Sequence, residues 1–155
     1  MKGLKNVGRV LLFQLIAFLP SLGALAVRTD GWYAQLSKPA WNPPPAVFGP
    51  VWTALYVLIG LAGYFAWTRG GRRGRLTVFA VYGMQLLLNA LWTPLFFGLH
   101  RPALALADLI LMWFLILLCI GRFAPRSRLA AWLMLPYFLW VSFAGALNAA
   151  IVWMN

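Results

Sequence analysis

The stretch PALALADLILMWFLILLCIG, Pro102 to Gly121, decides the fold. It is apolar from end to end except for Asp108. A helix rises about 1.5 Å per residue, so a run of this length crosses the roughly 30 Å hydrocarbon core of a bilayer. A helix at the surface of a soluble protein would carry a polar face, and this run has none. Lipid offers no partner to free backbone N–H and C=O groups, so the run must be helical.

Four more such runs flank it: Val10 to Val27, Ala46 to Trp67, Leu76 to Leu99 and Leu129 to Met154. Hydrophobic residues make up 63% of the chain and charged residues 10%, against about 45–50% and about 25% in soluble domains. That balance leaves too little polar surface for a soluble fold. The expectation is an all-α integral membrane protein, a five-transmembrane-helix bundle in a single domain of residues 1–155. Its helices cover about 10–27, 46–67, 76–99, 102–121 and 129–154, with an outer loop over 28–45.

A net charge of +11 would suggest nucleic acid in a soluble protein. Here the cations lie between apolar runs, where they meet anionic lipid, so the expected partner is the bilayer and not nucleic acid. Lys2, Lys5, Arg9, Arg69, Arg72, Arg73, Arg75, Arg122, Arg126 and Arg128 fall on one side. Only Arg28, Lys38 and Arg101 fall on the other. The positive-inside rule then places the N-terminus in the cytoplasm and the C-terminus outside, with a bacterial cytoplasmic membrane as the expected setting. The first run also has a rival reading as a signal peptide, since Ala24-Leu25-Ala26 fits a cleavage site. It is longer than the usual 7–15-residue apolar region, which argues for retention.

The loop 28–45 holds Trp32, Tyr33, Trp41, Pro39 and the run Pro43-Pro44-Pro45. Loops this long are uncommon in compact domains, and its aromatics argue against disorder. They read either as interfacial anchors or as a lid. Helical spacing sorts the polar residues of the spans. Gln85, Asn89 and Trp92 share a face of the third; Trp140, Ala144 and Asn148 share a face of the fifth. Trp52, Tyr56, Gly60 and Gly63 form a stripe on the second, and Gln14, Phe18 and Ser21 one on the first. Asp108 shares a face with Met112, Leu115 and Cys119. Depth puts Trp52, Asn89, Trp92, Asp108, Trp140 and Asn148 from the middle of the bilayer outward, beneath the loop, and Tyr56 and Ala144 share faces with them. The expectation is an aromatic-walled pocket opening outward, with the structural alternative that Asn and Gln only join helices. Pro20, Pro94 and Pro136 lie inside spans, where each can kink its helix, and Pro50 lies in a first turn.

No catalytic or metal-binding constellation is legible. Cys119 is the only cysteine and His100 the only histidine; no carboxylate pairs with Asp108, and no nucleophile has a base. No conventional catalysis is expected.

The run Trp32-Tyr33-Ala34-Gln35-Leu36-Ser37-Lys38-Pro39-Ala40-Trp41-Asn42-Pro43-Pro44, continuing through Phe48-Gly49-Pro50-Val51-Trp52-Thr53-Ala54-Leu55-Tyr56, resembles the translocator protein family. This is the TspO/MBR family, also called tryptophan-rich sensory proteins or peripheral benzodiazepine receptors. Pro20-Ser21-Leu22-Gly23, Leu88-Asn89-Ala90-Leu91-Trp92-Thr93-Pro94, Ala107-Asp108 and Pro136-Tyr137-Phe138-Leu139-Trp140 extend the resemblance along nearly the whole chain. It implies a five-helix bundle, often a homodimer, that binds porphyrins and, in some members, sterols. By matching position it implies contacts at Trp32, Tyr33, Trp52, Asn89, Trp92, Asp108, Trp140 and Ala144. The sterol pattern at the end of the last helix is broken, because Asn148 to Asn155 lacks both its Tyr and its basic residue.

The function expected is therefore a membrane receptor or carrier for a porphyrin-type tetrapyrrole, protoporphyrin IX or haem, with a sensory, regulatory or transport role. The alternatives are light-dependent porphyrin degradation and a small transporter of another solute. No cofactor is required. The macrocycle suits Trp and Tyr walls, and its propionates would meet Arg28, Lys38 or Arg101.

Overall fold

The computed structural model describes residues 2–25 and 31–155. It has seven α-helices among those residues and no strand: α1 Lys2–Phe18, α2 Ser21–Leu25, α3 Trp32–Gln35, α4 Pro45–Arg69, α5 Arg75–Thr93, α6 Pro102–Phe123 and α7 Arg128–Met154. Five segments are long and apolar enough to cross a membrane: Asn6–Ala24, Pro45–Arg69, Arg75–Gly98, Pro102–Phe123 and Arg128–Met154.

Local chemistry sets the ends. The first span is two helices, not the single one expected over 10–27. Pro20 has no N–H to donate, and the chain passes through turn bonds from Leu22 N to Leu19 O (3.1 Å) and Gly23 N to Pro20 O (3.1 Å). The Ser21 hydroxyl donates to Phe18 O at 2.6 Å across the break. The start of α1 lies eight residues before Val10, and residues 26 and 27 lie outside the described part. α4 starts on Pro45, which needs no partner for a missing N–H in the first turn. Gly74 turns the chain into α5 with φ 64°, where a side chain would be strained. Pro94 ends α5 and opens a π-helical turn, Pro94–Gly98, closed by Leu99 N donating to Pro94 O at 2.8 Å. Ser127 caps α7, its hydroxyl accepting from Ala130 N at 3.3 Å.

The helices form a ring in the order α1, α4, α7, α6, α5, closed where α5 meets α2. Small residues let α1 approach α4: a Cβ at Gly60 would lie 2.7 Å from the Gln14 side chain, and one at Gly63 would lie 2.7 Å from Phe13 and 2.9 Å from Tyr82. Gln14 Nε2 donates to Val57 O at 3.1 Å across this seam. Tyr82 reaches over from α5 to donate to Ile59 O at 3.1 Å. The core is apolar, but it also holds polar side chains, and large apolar residues cover the outside. Gln85, Asn89, Asp108 and Asn148 are buried, while Leu11, Leu15, Leu111, Phe114 and Leu139 face outward. In lipid the outward leucines cost nothing, and the polar groups must find partners inside.

The two ends of the bundle differ. At one, Arg126 donates to Gly71 O (2.8 Å) and Arg73 O (2.6 Å), tying the α4–α5 turn to the α6–α7 turn. Arg75 lies 4.4 Å from the Trp67 ring centre. This is the arginine end. The other, the loop end, carries α3, the proline run and the π-helical turn.

The Gly63 seam is directly testable. Gly63→Leu should lower stability in detergent by about 1–3 kcal/mol, the usual cost of overpacking. Gly121→Leu, where a Cβ meets nothing within 4 Å, should be near neutral in the same thermal melts. Equal melting temperatures for the two variants would remove the seam from the account.

Candidate functional site

Below the loop end, four helices contribute one buried hydrogen-bond chain. Tyr56 of α4 donates its hydroxyl proton to Asn89 Oδ1 of α5 at 2.9 Å. Asn89 Nδ2 donates to the Tyr137 hydroxyl of α7 at 2.9 Å. Tyr137 donates onward to Gln85 Oε1 at 2.9 Å, with Met112 Sδ of α6 at 3.3 Å as a second acceptor. Each hydroxyl has one proton, so the chain has a direction: Tyr56, Asn89, Tyr137, Gln85. At its end Gln85 Nε2 is buried and has no partner.

Aromatic rings surround the chain. Trp52 stacks on Tyr56 with centres 5.5 Å apart and meets Tyr137 edge-on at 6.2 Å. Trp140 packs edge-on against Phe48 at 5.9 Å and beside Phe143 at 5.5 Å. Two buried polar atoms here lack a partner, Asp108 Oδ2 and Trp140 Nε1. The α6–α7 register is fixed by Asn148 Nδ2 donating to Pro102 O (2.8 Å) and Trp113 Nε1 donating to Ser142 Oγ (2.8 Å). That register sets Asp108 level with Ala144, one turn from Trp140.

The loop closes over this end. Trp32 stacks on His100 at 4.3 Å and meets Phe96 edge-on at 5.7 Å. Tyr33 meets Phe96 and Phe97 at 6.1 and 5.4 Å. Its hydroxyl donates to Asn42 Oδ1 at 3.0 Å, and burial raises its pKa above the ordinary phenol value against the opposing effect of that bond. Trp41 reaches Phe143 at 5.7 Å. A reciprocal amide pair fastens the loop to α7: Ser37 N donates to Asn155 Oδ1 and Asn155 Nδ2 donates to Ser37 O, both 3.0 Å.

The residues expected to meet fall into three groups. Trp52, Tyr56 and Asn89 belong to the polar chain and its aromatic wall. Ala144 lies level with Asp108 across the α6–α7 seam, while Trp140, one turn away on α7, packs on Phe48 of α4. Trp92 and Asn148 form a separate pair, with Trp92 Nε1 donating to Asn148 Oδ1 at 3.2 Å, beneath the Trp32 and Tyr33 of the lid. The Trp52 stripe divides: its aromatic half meets α5 and α7, while Gly60 and Gly63 serve α1. On α6 the buried residue beside Met112 and Cys119 is Ile116, and Leu115 is only half-buried. Lys38 has turned inward, its ammonium donating to Tyr33 O and Leu36 O at 2.7 Å each. Arg28 lies outside the described residues.

Tyr137, the hub of the chain, was not singled out from the sequence. Its signal was the stripe Tyr137, Val141, Ala144, Asn148 and Ile151 at heptad-like spacing, which puts Tyr137 at the centre of the buried face and Trp140 at its edge.

A ring of membrane-spanning helices around a polar chain, lidded at one end by a Trp/Pro loop, defines a five-span integral membrane protein. The chain belongs to the TspO/MBR family, whose profile matches residues 10–154. It is 42% identical over 153 residues to the tryptophan-rich protein TspO of Archaeoglobus fulgidus, an alignment covering 98% of this chain and 97% of that one. The tryptophan-rich sensory protein of Cereibacter sphaeroides is 38% identical over 145 residues, 90% of each chain. The translocator protein of Bos taurus is 39% identical over 146 residues, 92% of this chain and 85% of the other.

The hub makes an ordered prediction. Tyr137→Phe strands Asn89 Nδ2 and Gln85 Oε1 together and should cost about 2–3 kcal/mol, whereas Tyr56→Phe strands one acceptor and should cost about 1 kcal/mol. Unfolding in mixed micelles measures both; a Tyr56 variant as damaged as the Tyr137 variant contradicts the directional chain.

Proposed function

We propose that this chain is a membrane receptor or carrier for porphyrin-type tetrapyrroles, protoporphyrin IX or haem, taken up beneath the loop among α4, α6 and α7. The observation that carries the reading is the pair of partnerless buried polar atoms, Asp108 Oδ2 and Trp140 Nε1, set in an aromatic wall. Buried polar groups are nearly always hydrogen-bonded, so two unmet groups about one helical turn apart suit a ligand with polar edges and flat apolar faces. Trp52, Trp140, Phe48 and Phe143 supply the faces. Arg101, at the mouth, suits a propionate, since Lys38 is already engaged in its own loop. The tryptophans also support a second reading, in which bound porphyrin is degraded in light. The resemblance to the family supports a homodimer as the assembly.

Ala144 tests the site. Protoporphyrin should quench tryptophan fluorescence of the purified protein. Ala144→Phe fills the space beside Asp108 and should weaken binding at least about tenfold, on the order of 1.4 kcal/mol. Leu117→Phe, on an outward face of α6, should leave it unchanged. Equal affinity of the two folded variants defeats the proposal. Asp108→Asn then reports whether the carboxylate is a contact, and absorbance spectra after illumination separate binding from degradation.

We further propose that the arginine end faces the cytoplasm and the loop end the outside, supported by the charge bias between the two sets of turns. Cysteines introduced at Gly71 and Ala40 should be, respectively, protected from and reactive to an impermeant thiol reagent in intact cells. Cys119 is buried and adds no background. Labelling at Gly71 alone reverses the orientation.

A further inference from the structure

A groove of about 210 Å³ opens between α6 and α7, lined by Ile120, Ala131, Trp132 and Leu135. It lies at the arginine end, far along α6 and α7 from the candidate ligand site. Trp132 is 69% exposed and stands as a free wall of the groove. One turn nearer the end, Arg128 falls on the same stripe of α7: positions 128, 131, 132 and 135 are spaced i, i+3, i+4, i+7. Arg128 is exposed. The chain's two acids are Asp30 and Asp108. Among the described residues Asp108 is the only acid, and it is in the loop-end half of α6, so no described acidic side chain lies near this cation.

We propose that this groove binds an anionic phospholipid, with an acyl chain along Ile120, Ala131, Trp132 and Leu135 and the phosphate at Arg128. The groove offers only apolar contact and has room for a segment of chain. Arg128 sits where that chain would reach the headgroup region, and a guanidinium matches phosphate oxygens bidentately. Charge selects this occupant over a second copy of the protein. A copy related by an axis along the membrane normal would bring a second Arg128, and its neighbours Arg126 and Arg122, to the same level. An anionic lipid neutralises these cations instead.

Native mass spectrometry of the detergent-purified protein, titrated with phosphatidylglycerol or phosphatidylcholine, tests the site, because micelles carry no membrane surface potential. Wild type should retain phosphatidylglycerol in preference to phosphatidylcholine. Arg128→Gln should reduce phosphatidylglycerol retention up to about fivefold, the upper worth of one exposed ion pair, and abolish the preference. Arg122→Gln is the control, since residue 122 lies roughly 200° around α6 from Ile120; it should change retention by less than about twofold. Trp132→Ala removes a groove wall and should lower retention of both lipids alike. The variants change exposed side chains, and unaltered melting temperatures establish that they fold. An Arg128 variant that keeps the preference, or an Arg122 variant that loses it equally, overturns the proposal. So does a Trp132 variant that loses dimers while keeping lipid, which would make the groove a protein interface.

Discussion

A polar group inside this bundle has to find its partner there, because lipid offers none, and few, among them Gln85 Nε2, Asp108 Oδ2 and Trp140 Nε1, go without. The sequence places amides, hydroxyls and indoles on inward faces of α4, α5, α6 and α7. The chain from Tyr56 through Asn89 and Tyr137 to Gln85 links four of them at once. It also holds the helices in one rotational setting. Leucine faces slide over lipid and over each other with little penalty. A directional chain of single protons fits only one rotation of each helix, so what the apolar surfaces leave free, the polar core fixes.

Close backbone approach completes the arrangement. Gly60 and Gly63 let α1 settle against α4, and Gly23 comes near the α5 backbone, where an added Cβ would lie 2.9 Å from Ala90 O. Four prolines act at helix ends, while Pro50 and Pro136 stand inside helices, Pro50 one turn further in than the first turn expected for it because α4 already starts at Pro45. Pro20 divides the first span, Pro94 opens the π-helical turn, and Pro45 and Pro102 start helices. Pro136 stands inside an unbroken α7.

The spans were legible because a bilayer imposes a length and a polarity that composition alone reveals. Asp108 stood out as the one charge in an apolar run, and the Trp/Pro loop stood out as too aromatic to be slack. Rotational detail was less legible. Trp140 is the more conspicuous residue, yet Tyr137, three positions earlier, takes the centre of the buried face. Spacing identifies a stripe but not which edge of it meets a neighbour. The turn at Pro20 was legible as a kink but not as a full stop, since that depends on whether Ser21 can answer the Phe18 carbonyl. The inward fold of Lys38 follows from the carbonyls that the short α3 leaves exposed, and no pattern of residue types announces it.

The clasp between Ser37 and Asn155 gives the loop a mechanical tie to the most heavily engaged helix. Asn155 Nδ2 also donates to Ile151 O at 2.8 Å, so its side chain is braced against the last turn of α7. A loop lifting away has two courses. It can release the amide pair and leave α7 in place, or it can keep the pair and draw on a rigid rod whose other contacts include Trp140 and Tyr137. In the second course a movement at the rim is transmitted as strain along the helix axis to the proton-sharing hub roughly 27 Å below, at about 1.5 Å per residue. The clasp thus joins the rim to the last turn of α7 through one side chain held on both sides.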